Sequence, residues 1–149
     1  MSTDKKVTSA LVKTLTDGMN GFDHAAKRLA ESDRPDLVSR FQSFSTERAT
    51  MAAELETIAA AYGDDVDEDG SVAAAVHRGW MSVKDAVTGG SPVAVLTAAT
   101  TGEEHALGEF DSALSEDISP DLRLVVQRQL ETIRSAHADV KSLAEAEAA

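Results

Sequence analysis

The sequence predicts an all-α protein of packed helices, and three observations carry that reading. Aromatic residues are only 4% of the chain, with one Trp and one Tyr, so the core is aliphatic and Ala-rich. Such a core argues against a β-sandwich and for packed helices. The three prolines, Pro35, Pro92 and Pro120, each stand where a helix would start, two of them directly after a serine. Ser-Pro supplies a hydroxyl to cap free N–H groups, followed by a residue that lacks one. Between these marks, apolar residues recur at 3- and 4-residue spacing, the signature of one helix face turned to a core.

The elements follow in order. A first helix near 4–32 carries Leu11, Leu15, Gly18, Phe22, Ala25 and Leu29 on one stripe. A second near 35–62 carries Leu37, Phe41, Phe44, Arg48, Met51, Leu55 and Tyr62, and Gly63 suits its end, where a residue takes positive φ. Ser71 caps a short helix near 72–88, whose apolar side is Val72, Val76, Trp80, Val83 and Val87. Trp80 is expected to be buried against one flank of the bundle. Gly89 and Gly90 close that helix. A long helix near 92–116 shows Leu96, Thr100, Glu103, Leu107, Phe110 and Leu114. The last, near 120–146, shows Leu122, Val126, Gln129, Ile133, Ala136, Val140 and Leu143, and its Ala/Glu tail is expected to fray.

Tight turns at 32–34 and 117–119 make two antiparallel hairpins. The connection 63–91 is long enough to run the length of a bundle. Two hairpins joined by one long crossover form the ferritin-like four-helix arrangement, here with a short extra helix in the crossover. The 149 residues fit a single domain, 1–149, which buries roughly two-thirds of its unfolded surface.

Composition narrows the function classes. There is no Cys, so a disulfide scaffold, a thiolate metal site and a Cys nucleophile are excluded. Lys plus Arg number 14 against 26 Asp plus Glu, a formal net charge of −12. That surface repels phosphate backbones and anionic lipid, so no nucleic acid and no membrane are expected as partners. No run of 18 apolar residues occurs, and the polar start Met1-Ser2-Thr3-Asp4-Lys5-Lys6 is not a signal region; the cytoplasm is the expected compartment.

Three stripes are interrupted by polar residues. Arg48, Glu103 and Gln129 fall mid-stripe, while Gly18 leaves room on the first helix. Counted from the turns, the four positions reach nearly the same level of the bundle. A buried Arg needs an acceptor and a buried Glu needs a cation or a proton, so each predicts the other. The expectation is a buried polar layer of Arg48, Glu103 and Gln129, an ion pair with Gln129 bridging it. The competing arrangement has Arg48 extending to a bundle edge and Glu103 partly wet.

The elements Asp17-Gly18 with Gly21-Phe22, Glu47-Arg48, His77-Arg78-Gly79-Trp80, Gly102-Glu103, and Gln129 with His137 resemble a bacterial family of ferritin-like four-helix-bundle proteins classed as a domain of unknown function. The resemblance spans nearly the whole chain and implies a ferritin-like fold without an assigned activity. Ferritin-like di-iron proteins carry a Glu on each of two helices and Glu-x-x-His on each of the other two. Here Asp17 sits off the first stripe, Glu47 is followed three residues later by Thr50, and Arg134 stands three before His137. Two arginines near the site, Arg48 and Arg134, would repel iron. The di-iron centre is therefore expected to be lost. A single iron or other divalent metal on Glu47, Glu103 and His137 is the alternative.

The acidic run Asp65-Val66-Asp67-Glu68-Asp69-Gly70 begins like an EF-hand loop, but Val76 stands where a bidentate Glu is needed. It reads instead as a solvated loop whose charges favour the next helix N-terminus. No Ser/His/Asp order and no phosphate loop is present, and no catalytic residue is assigned. The expected function is that of a non-catalytic bundle without cofactor, acting as a homo-oligomer or on a protein partner, in a stress-related setting.

Overall fold

The computed structural model describes residues 3–61 and 91–149, and among them every regular element is an α-helix. These are α1 (Thr3–Glu31), α2 (Pro35–Ala61), α3 (Pro92–Leu114) and α4 (Pro120–Ala148). The expected helix at 72–88, Trp80, His77 and the acidic run at 65–70 lie outside the described residues.

Each proline is the first residue of its helix. Ser91 and Ser119 adopt extended backbone, and their hydroxyls accept from the Ala94 and Leu122 amides at 3.3 Å. That satisfies one free donor in each first turn. The α1–α2 turn is closed by Asp33, whose φ of 55° is the left-handed conformation that ends many helices.

The helices form two antiparallel hairpins, α1–α2 and α3–α4. One apolar cluster joins Phe22, Leu29, Leu37 and Phe41 to Val95, Leu96, Ala136 and Val140, at the end holding the first turn. The other joins Val7, Leu11, Leu15 and Leu55 to Phe110, Ile118, Leu122 and Val126, at the end holding the second. Ala61 and Pro92 therefore lie at opposite ends of the bundle. α1 packs closely on both α2 and α3, and α4 on α3, whereas α2 and α4 meet only lightly. α2 and α3 stand across the diagonal.

Three local readings change in the structure. The α4 tail is helical through to Ala148, with Ala144 packed on the core and Glu147 paired to Arg34 beside the first turn. On α3, Thr100, Leu107 and Leu114 are only half-buried, and Ala99, Gly102, Ala106 and Ala113 take the inner line. Small side chains let α3 approach its neighbours, so the large ones roll to the rim. On α1, Asp17 is buried rather than off the core, because this helix serves two neighbours and its inner face is correspondingly wide.

A buried ion pair at the bundle centre

Between the two apolar clusters lies a polar level. Arg48 and Glu103 are both 0% exposed, and Arg48 is among the largest fully buried side chains in the protein. The two meet across the bundle diagonal, Nη1 donating to Oε1 at 2.6 Å and Nη2 to Oε2. This is the fork-on-fork geometry that a planar guanidinium and a carboxylate share. Charge and hydrogen bonding are thus satisfied together, which a buried carboxylate requires.

The surroundings come from α1. Gly18 lies so close that a Cβ there would stand 3.2 Å from Arg48 Nη1 and 3.7 Å from Cγ. The guanidinium carbon lies 5.2 Å from the centre of the Phe22 ring, a cation–π contact in a site without water's screening. Phe22 also packs on Phe41 and Phe44, with centroids 5.4 and 5.2 Å away, which fixes the ring under the cation. The sequence shows Phe22 on the stripe one turn beyond Gly18, yet gives no sign of which ring face meets the arginine.

Gln129 is buried at this level but does not span the pair. Its Nε2 donates to the Met51 carbonyl at 3.2 Å and to Glu54 Oε1 at 2.8 Å, tying α4 to α2 instead. Residue counting gives a side chain's height in the bundle, not its direction around the helix axis. The amide reaches acceptors on α2 instead of the Glu103 carboxylate.

The residues weighed as metal ligands do not converge. Both Glu103 oxygens accept from Arg48. His137 is half-buried and points its Nε2 toward Glu104, 3.6 Å away on α3. Glu47 is partly exposed and lines a 240 Å³ cleft at the α2–α4 seam with Phe44, Thr132, Ser135, Ala136 and Asp139. Burial pushes the Glu47 carboxyl above its ordinary range; Arg48 opposes that shift, while Glu103 and Asp139 add to it. Among the described residues, no three His, Cys, Asp or Glu form a group able to hold a metal ion. Arg134, expected from its place three before His137 to be a second cation near the centre, is half-exposed and pairs with Glu131 and Asp111 on the surface. Among the described residues, the repulsion of a metal at this level therefore falls to Arg48.

Residues 6–116 match a family model described as Domain of unknown function (DUF2383). No curated protein and no solved structure matches the chain.

Proposed function

The chain belongs to the DUF2383 family, a domain of unknown function, and we propose that it is a non-catalytic, ferritin-like bundle that works by association with a second copy or another protein. The arrangement of two hairpins whose connecting ends, Ala61 and Pro92, lie at opposite ends supports the ferritin-like reading. The observation that carries the non-catalytic reading is the Arg48–Glu103 pair. A ferritin-like fold implies a pair of iron ions held by inward carboxylates and histidines at mid-bundle. The residues here do not fit that group, because the inward Glu103 spends both oxygens on a guanidinium and a cation already fills the level. A centre closed in this way leaves the surface to do the work. Among the described residues, α2 and α4 pack lightly and leave a cleft between them, and this seam is the surface the proposal favours.

Metal analysis and solution mass, both on untagged protein, test the proposal. The expected result is no stoichiometric iron and a mass that is a multiple of 15.7 kDa, or a stable complex with a defined partner. Two equivalents of iron with an oxo-bridge absorption band would overturn the non-catalytic reading. A mass of one chain at every concentration would remove self-association.

A further inference from the structure

We propose that the bundle centre is a binding slot for a guanidinium group, and that Arg48 supplies its own head group as the resident ligand. The inference deepens the reading of a metal-free centre and rests on it. Three walls of the slot belong to helices other than the one bearing the cation. Glu103 on α3 offers two oxygens, each matched to a different terminal nitrogen. Phe22 on α1 offers an aromatic face 5.2 Å from the guanidinium carbon. Gly18 on α1 offers bare backbone beside Nη1, where an added Cβ would press at 3.2 Å. α2 contributes the tether, together with Phe41 and Phe44 that back the Phe22 ring.

Each wall selects the same chemistry. A forked carboxylate contact requires a flat cation with parallel N–H groups, which neither an ammonium nor a spherical metal presents. An aromatic face favours a delocalised cation, and full burial favours one that gives up its water readily; guanidinium is the more weakly hydrated of the two protein cations. Among the described residues Arg48 Nε is buried without a hydrogen-bond partner, so the head group's hydrogen bonds come from its two terminal nitrogens. Binding thus depends on the part of the side chain that a free guanidinium ion shares, and the slot's ligand class is the small guanidinium cation.

The test is chemical rescue. Arg48→Ala removes the tethered cation and leaves Glu103, Phe22 and Gly18 in place. Its melting temperature should fall well below that of the native protein. In low-millimolar guanidinium chloride it should then climb with the logarithm of concentration, as expected for a ligand bound only by the folded state. Equal concentrations of sodium, ammonium or manganese chloride should give no such climb, and neither should guanidinium added to Arg48→Ala/Glu103→Leu. Rescue equal with any of those salts, or equal in the double variant, would overturn the slot. If Arg48→Ala is unfolded alone, helicity by circular dichroism should return on adding guanidinium. A chain that stays unfolded in guanidinium while Arg48→Met/Glu103→Leu folds would also overturn it. Iron found in the native protein would instead sink the metal-free reading, so the two failures are separable.

Discussion

At the scale of single residues, the fold turns on what happens when one member of the central pair is lost. Removing either partner strands a buried charge, at a cost of about 3–5 kcal/mol. Arg48→Met with Glu103→Leu removes both charges and fills similar volume, so much of that loss should return. Urea denaturation of the four proteins in this cycle should therefore show strong positive coupling. Small, additive effects would mean that the two side chains reach water separately, against their complete burial. This pair was legible beforehand because a charged residue on an apolar stripe is conspicuous, and counting from the turns put Arg48 and Glu103 at one level. The Phe22 contact and the Gln129 bonds were not legible. They depend on rotation about the helix axes, which spacing along one stripe does not encode.

Helices are where local propensity and packing can be set against each other most cleanly, and two glycines do so. Gly108 lies within α3, and a Cβ added there meets nothing within 4 Å. Gly108→Ala should thus gain most of the helix-propensity difference, about 0.8–1 kcal/mol. Gly18 would gain the same within α1, but its new Cβ would press at 3.2 Å on a guanidinium pinned by Glu103 and Phe22. Gly18→Ala should therefore be destabilising, and thermal melts of the two variants should move in opposite directions. A stabilised Gly18→Ala would show that the arginine can shift freely. The starts of α2, α3 and α4 are legible from Pro35, Ser91-Pro92 and Ser119-Pro120, since capping is a local matter. The end of α4 is not. The Ala/Glu tail carries no stop signal, and the pairing of Glu147 with Arg34 joins residues 113 apart. The inner line of α3 was misplaced for a related reason: Ala99 and Ala106 look neutral in sequence, and only their neighbours' approach makes them core.

At the scale of the whole molecule, a net charge of −12 and a few displaced carboxylates set how stability responds to pH. Burial raises the Glu47 carboxyl, with Arg48 opposing and Glu103 and Asp139 reinforcing the shift; burial likewise raises Glu109, with His105 opposing. A carboxyl raised in the folded state holds a proton that the unfolded chain has already released. Stability therefore falls as pH rises through its folded pKa. Asp36 moves the other way, lowered chiefly by the Arg34 hydrogen bonds. Glu54 is also lowered: burial pushes it up, but the bonds from Arg128 and Gln129 outweigh that push. Stability from these two is present above their unfolded pKa and is lost as pH falls through the folded one. Descending from neutrality, Glu47 and Glu109 take up protons first, so stability should rise before Asp36 and Glu54 bring it down. The maximum is expected on the acid side of neutrality, near the ordinary carboxylate range of about 4. General self-repulsion of an acidic surface would also raise stability on acidification, but salt screens that effect far more than a local burial penalty. The discriminating measurement is urea stability against pH in low and high salt, for the native chain and for Glu47→Gln/Glu109→Gln. The double variant should flatten the rise at both salt concentrations while keeping the acid-side fall. A rise that survives the substitutions and vanishes in salt would assign the effect to net charge, and would leave the seam carboxylate without influence on the fold.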